Sequence, residues 1–224
     1  MSIAENVINI NPTIPSGVKL VAVSKTKPLE DMDEAYQCGI RDFGENKVQE
    51  LMYKIEHFNK EDVIWHLIGH LQRNKVKYIV GKVDLIHSLD SIKLLEEIEK
   101  QYAKKGLKAH VLIEINIGKE QNKSGIMKED LEELLNVVEN CNCVNVEGLM
   151  TVIPIGDENS CRIYFKEVKN IFDNLSKRSF KNVNMKYLSM GMTGDYKIAI
   201  EEGSNMVRVG QGIFGKRDYT IINA

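Results

Sequence analysis

Short runs of aliphatic and β-branched residues alternate along the chain with longer amphipathic stretches, and the alternation occurs eight times. The first apolar run is VKLVAVS, Val18 to Ser24. After Pro28, LEDMDEAYQCG is predicted as a helix, with proline at its first turn and Gly39 as its stop. IRDFG is a short second strand, followed by a helix from about Asn46 to Phe58. VIWHLIG (Val63 to Gly69) is the third, and the helix LQRNKVKYIVG closes on Gly81. VDLIHSL is the fourth, followed by SIKLLEEIEKQYAKKG, whose glutamates and lysines at helical spacing suit an exposed face. AHVLIEINIG is the fifth strand, with Lys128 to Asn140 helical beyond it; VNVEGLM is the sixth, with Ser160 to Lys177 helical. MKYLSM and NMVRVG are the seventh and eighth, separated by a short helix around Asp195 to Glu202. Eight β–α pairs in sequence predict an α/β fold of the (β/α)8 TIM-barrel type. A doubly wound sheet of five or six strands would leave two units unplaced. The expected organisation is a short N-terminal segment, residues 1–17, and a single barrel over 18–224. The first fifteen or so residues, broken by Pro12 and Pro15, and the loop IPIGDENS (Ile153 to Ser160) are the expected flexible parts.

Composition narrows the function classes. The chain has 224 residues, 43% of them hydrophobic and 28% charged, with a net charge of −2. That balance allows a sizeable core and argues against a nucleic-acid or membrane-surface partner, whose footprint is basic. No apolar stretch is long enough to span a bilayer, and MSIAENVINI lacks the positive flank of a signal peptide. Cys38, Cys141, Cys143 and Cys161 contain no C-x-x-C pair and read as partly buried thiols in a reducing compartment. A cytoplasmic, monomeric protein is expected.

In a barrel of this kind chemistry sits where strands end, on the loops that lead into helices. One strand end is unusual. Val21, Val23 and Lys25 share a face of the first strand, so the Lys25 amine continues a line of core side chains. Desolvation favours the neutral form of an amine, and a neutral amine is what condensation with a carbonyl requires. Lys27, just before Pro28, already lies in the turn and reads as a solvated or secondary charge. The loops SMGMTGD (Ser189 to Asp195) and RVGQGIFG (Arg208 to Gly215) follow strands seven and eight. Their glycines let backbone N–H groups approach an anion, Ser189 and Thr193 add hydroxyls, and loops at these two positions commonly form a phosphate site. Three other motifs lead nowhere. GKEQNKS resembles a P-loop but has Lys123 where the second glycine must be. DFG (Asp42 to Gly44) lacks the rest of a kinase. His66 and His70 of HLIGH have zinc-helix spacing but lie on a strand without the glutamate, so no metal is expected.

Taken together, AVSKTKP, DFGENKVQE, HLIGHLQRNK, LMTV, LSMGMTGD and VRVGQGIFG resemble the pyridoxal phosphate homeostasis protein family over about Val18 to Gly215. Members are single barrels similar to the N-terminal domain of alanine racemase, so the resemblance implies a fold-type III-like barrel without a C-terminal β domain. It also implies that Lys25 forms a Schiff base with pyridoxal 5′-phosphate. Ser189, Gly191, Thr193 and the backbone of Gly210 and Gln211 would hold the phosphate, Arg208 would face the pyridine nitrogen, and Asn46 would lie near the ring. A cation facing that nitrogen leaves the ring unprotonated and a weaker electron sink. Two positions depart from the family's pattern: only about seventeen residues precede strand one, and Gln211-Gly212 replaces a pair that is usually Thr-Ala or Ser-Ala.

The resemblance implies a role in intracellular vitamin B6 homeostasis with little or no turnover, and pyridoxal phosphate-dependent apo-enzymes as possible recipients of the cofactor. The alternatives are an amino-acid racemase or related Schiff-base enzyme, and a class I aldolase-like barrel using Lys25 on its substrate's own carbonyl. Racemisation needs a second acid/base group opposite Lys25. Among the residues after Gly215, Tyr219 could in principle take that task.

Overall fold

Eight strands form and pair in chain order. The computed structural model describes residues 1–120 and 122–215, and in it β1 (Lys19–Val23), β2 (Asp42–Glu45), β3 (Ile64–Leu67), β4 (Leu85–Leu89), β5 (Ala109–Glu114), β6 (Val144–Met150), β7 (Val183–Ser189) and β8 (Met206–Val209) build a closed parallel barrel. The helices lie between them: α1 (Ile3–Ile10) precedes β1, and α2 (Leu29–Gln37), α3 (Val48–His57), α4 (Val76–Ile79), α5 (Ile92–Ala103), α6 (Leu131–Glu139), α7 (Glu158–Ser176), α8 (Tyr196–Glu201) and α9 (Gln211–Phe214) follow the eight strands in turn. This is the (β/α)8 barrel that the alternation predicts.

Two cores result from the period-2 geometry of the strands. Outward residues such as Ala22, Phe43, Leu67 and Ile86 pack under the apolar stripes of the helices, in one continuous cluster. Inward residues Val21, Leu85, Leu112, Met150 and Met206 fill the barrel itself. The interior is not uniformly apolar, however: Asp42, His66, His87, Ser189 and Arg208 also meet there. Closure runs through β1 and β8, with Val21 beside Arg208 and Ala22 beside Val209. The register shifts within β6 between Val146 and Gly148. Gly148 permits this, because at φ +140° a Cβ would stand 1.8 Å from the Tyr187 carbonyl oxygen.

Several elements differ from the sequence reading. Residues before the prolines, expected to be flexible, form α1 instead. Ser2 accepts from the Glu5 N–H while the Glu5 carboxylate accepts from the Ser2 N–H, so the helix start is capped in both directions. Val7 and Ile10 are buried, and Asn6 Nδ2 donates to the Ile213 carbonyl 2.9 Å away, tying α1 to α9. The stretch after Gly69, expected to be one long helix to Gly81, is a 3-10 turn at Arg73–Lys75 and only one α-helical turn, α4.

Candidate functional site

The C-terminal strand ends converge on one mouth of the barrel, and the residues singled out from the sequence are distributed around it. Lys25 is half-buried in the turn after β1. The next residue, Thr26, is held at φ +64°, a left-handed conformation uncommon for a β-branched side chain. A buried cluster supports that turn. Ser24 Oγ donates to Glu45 Oε1 at 2.6 Å, and Lys54 Nζ donates to Glu45 Oε1, Glu50 Oε1 and the Ser24 carbonyl at 2.7–2.8 Å. Glu50 Oε1 in turn accepts the Thr26 N–H. Burial pushes the Glu45 carboxyl up to about 7, although Lys54 opposes the shift. Lys27 is not simply solvated: its Nζ donates to the Phe214 carbonyl at the end of α9, 2.7 Å away.

The loops after β7 and β8 lie against each other, as the Gly212 N–H donates to Thr193 Oγ1 at 3.2 Å. Gly191, at φ +95°, has its backbone against α8, where a Cβ would stand 2.6 Å from the Ala199 methyl. Gly210 precedes α9, and Gln211 begins it. Among the described residues the backbone N–H groups of Thr193, Gly194 and Gly210 donate to no partner. These loops therefore present free donors at a surface that is open rather than packed.

Ser189 stands apart from the other residues expected around a phosphate. It is fully buried, and its hydroxyl is engaged inside the barrel, 2.6 Å from Arg208 Nη1 and 3.2 Å from His87 Nδ1. Its neighbour here is the guanidinium. Arg208 also donates through Nη1 to the Ser189 carbonyl and through Nη2 to the Thr151 carbonyl, both at 2.8 Å. These three bonds commit three of its five N–H groups. Burial lowers its pKa to about 10, against the opposing charges of Glu114 and Asp195, so the guanidinium stays protonated at neutral pH.

Asn46 is half-buried at the end of β2, and its backbone is closely approached by Gly69, where a Cβ would lie 2.4 Å from the Asn46 carbonyl oxygen. Glu114, at the end of β5, did not stand out in the sequence. Its Oε1 accepts from Ser124 at 3.2 Å, while Oε2 is buried and unpartnered. Burial and the nearby Asp90 charge push its carboxyl up to about 7, against Ser124, Arg208 and His70. Only the outlying glutamate in the otherwise apolar run AHVLIEINIG signals it beforehand.

The remaining motifs are structural here. His66 bonds to Asp42 and His87, and His70 to Asp90, so the two histidines of HLIGH do not converge. Near GKEQNKS, Asn116 Nδ2 and the Lys123 N–H both donate to the Glu120 carbonyl, at 2.9 and 3.1 Å. Tyr219 lies outside the described residues.

A model of the alanine racemase N-terminal domain matches residues 1–218. The pyridoxal phosphate homeostasis protein of Aquifex aeolicus is 45% identical over 202 residues, 90% of this chain and 88% of that protein. The chain belongs to the pyridoxal phosphate homeostasis protein family. Among solved structures of this family's fold, PipY of Synechococcus elongatus with PLP bound has a TM-score of 0.87 and 32% identity, covering 96% of this chain and all of that one. Alanine racemase of Clostridium difficile, at 15% identity, shares the fold with a TM-score of 0.80, and the match covers 98% of this chain and 58% of the racemase. The family's motifs, from AVSKTKP to VRVGQGIFG, thus fall on the strand ends of one barrel mouth.

Proposed function

We propose that this protein binds pyridoxal 5′-phosphate at the C-terminal mouth of its barrel and serves pyridoxal phosphate homeostasis by holding and releasing it. The single observation that carries the reading is the convergence on that mouth of an amine, a cation and open backbone donors: Lys25, Arg208 and the loops of Thr193 and Gly210. Their chemistry fits the cofactor's three distinct parts. The Lys25 amine would take the aldehyde, since it follows β1 in a turn held by the Lys54 cluster. Gly191, Thr193, Gly210 and Gln211 would hold the phosphate, with the free N–H groups of the two loops as donors. Arg208 would face the pyridine nitrogen, Ser189 would steady Arg208 from below, and Asn46 would border the ring. Bound here, the cofactor supplies an electrophilic carbonyl and an electron-accepting ring. Arg208, charged at neutral pH, has no site for the ring nitrogen's proton, which limits electron withdrawal and favours storage over turnover. Pyridoxal phosphate-dependent apo-enzymes are the natural recipients of what is released.

The test is borohydride reduction of protein loaded with pyridoxal 5′-phosphate, followed by peptide mapping. The cofactor is expected on Lys25; a label on Lys27 or Lys123 would overturn the assignment. Pyridoxal lacking the phosphate is expected to bind at least tenfold more weakly, because charge-assisted hydrogen bonds are each worth about 1.5–3 kcal/mol. Equal affinity for the two would remove the phosphate role from the loops at Thr193 and Gly210.

A further inference from the structure

A line of polar side chains crosses the barrel from one mouth to the other. Above, Arg208 Nη1 lies 2.6 Å from Ser189 Oγ, which lies 3.2 Å from His87 Nδ1. His87 Nε2 is 2.9 Å from His66 Nδ1, and His66 Nε2 is 2.9 Å from Asp42 Oδ1. Asp42 then pairs with Lys19 at 3.0 Å. The six side chains come from six different strands, β1, β2, β3, β4, β7 and β8. Ser189 and His87 are entirely buried, and His66 and Arg208 nearly so.

Hydrogen counting gives this line a direction. Burial raises the Asp42 pKa, but the hydrogen bonds from His66 and Lys19 and the Lys19 ammonium outweigh it, so the carboxyl is held below its ordinary range and is an acceptor only. The hydrogen between Asp42 and His66 therefore sits on His66 Nε2. Burial, then the neighbouring His66 and Arg208, hold His87 well below the ordinary histidine range, so it carries one ring hydrogen. Arg208 can only donate, so the Ser189 oxygen accepts from it and the serine hydrogen is left for His87 Nδ1. The one hydrogen of His87 therefore sits on Nε2 and points at His66 Nδ1, which accepts it. Every link is filled, and all the shared hydrogens between Ser189 and Asp42 point the same way.

We propose that His87 and His66 are positioning residues for Arg208, and that Asp42 sets the direction in which they hold it. Resting on the cofactor reading above, the relay keeps Ser189 turned inward as an acceptor for Nη1. The guanidinium is thereby fixed, with its uncommitted N–H groups left for the cofactor ring. The same geometry accounts for Ser189 being bonded inward instead of facing the phosphate loops. The lower end is accessible: Asp42 and His66 border a cavity of about 220 Å3 at the opposite mouth, which Lys19, Asp84, His110, Glu147 and Lys186 also line. These groups and Tyr187 at the lower end, with Glu114 and Asp195 whose charges act on Arg208 above, are charged and titratable side chains around the relay.

The relay can be read directly. Full-length protein with 15N-labelled histidine, free of cofactor, is expected to show His66 and His87 as Nε2–H tautomers by nitrogen chemical shifts and long-range couplings. Assignment uses His66→Gln and His87→Gln. Asp42→Asn places a donor where a pure acceptor stood, and both imidazoles are expected to switch to Nδ1–H. Titration with pyridoxal 5′-phosphate should then show Asp42→Asn binding about tenfold more weakly than wild type, the scale of one buried hydrogen bond, with a shifted absorption maximum of the bound cofactor. His87 found as Nδ1–H in wild type, or tautomers indifferent to Asp42→Asn, would overturn the relay. Switched tautomers with unchanged spectrum and affinity would overturn its role toward the cofactor. If wild-type protein takes up no cofactor, the function proposed above fails, while the tautomers still decide whether the directed relay exists.

Discussion

Glu114 shows how one buried carboxyl can shape the response to pH. Its folded pKa of about 7 lies above the ordinary value of 4.5, so between these pH values the folded protein holds a proton that the unfolded chain has released. The stability associated with that proton is complete at pH 4 and is lost as pH rises through 7, a change of about 3 kcal/mol for one such group. Glu45, also raised to about 7, contributes with the same sign. Glu114→Gln is therefore expected to remove part of the decline, and urea unfolding at pH 5 and pH 8 measures it. Unchanged pH dependence would mean that the carboxyl is solvated. Gly191 makes a second case at this scale. Alanine there meets both the left-handed backbone and Tyr196 Cα at 2.9 Å, and thermal unfolding should reveal a loss of about 1–3 kcal/mol. Lys25 and the glycines stand out in the sequence because each is an odd residue at a strand end, whereas Arg208 enters only through the family resemblance. Glu114 was hidden within an apolar run. The bonding of Ser189 was hidden for another reason: its partners, His87 and Arg208, are 102 and 19 residues away.

At the scale of elements, the strands follow from alternation, and VNVEGLM coincides with β6 residue for residue. Pattern fails where structure is made by ends and not by faces. The capped start of α1 and the single turn of α9 are both too short to show a helical period. On the proposed reading the two bear on cofactor binding, because α9 carries Gln211 and leans on α1 through Asn6. Asn6→Ala should weaken pyridoxal 5′-phosphate binding a few-fold while leaving borohydride labelling on Lys25, a combination that fluorescence titration and peptide mapping separate. The joint between α3 and the β1 turn is stiffer. Lys54→Ala leaves Glu45 buried beside Glu50 without its cation, and breaking such a pair costs about 3–5 kcal/mol. Chemical denaturation should register that loss, and a change below about 1 kcal/mol would show that water enters and replaces the ammonium.

For the whole molecule, the eightfold alternation was enough to give the closed barrel, and the strand-end rule was enough to say which mouth to examine. The register was not available from pattern. The pairing of β3 with β4 sets His66 beside Leu85, and this register brings His66 and His87, 21 residues apart, within 2.9 Å. No described helix is long and apolar enough to cross a membrane. The pairing of β1 with β8 has a consequence for how the protein is made. Lys25 leaves the ribosome early, while Arg208 and Gly210 follow more than 180 residues later, so the amine exists for most of synthesis without its cradle. Under the proposed function, a nascent chain would meet the aldehyde only as any exposed lysine does, in a weak and reversible encounter. Retention would begin when the last strand closes the barrel, and from then on the vitamin would stabilise the finished molecule with the logarithm of its free concentration.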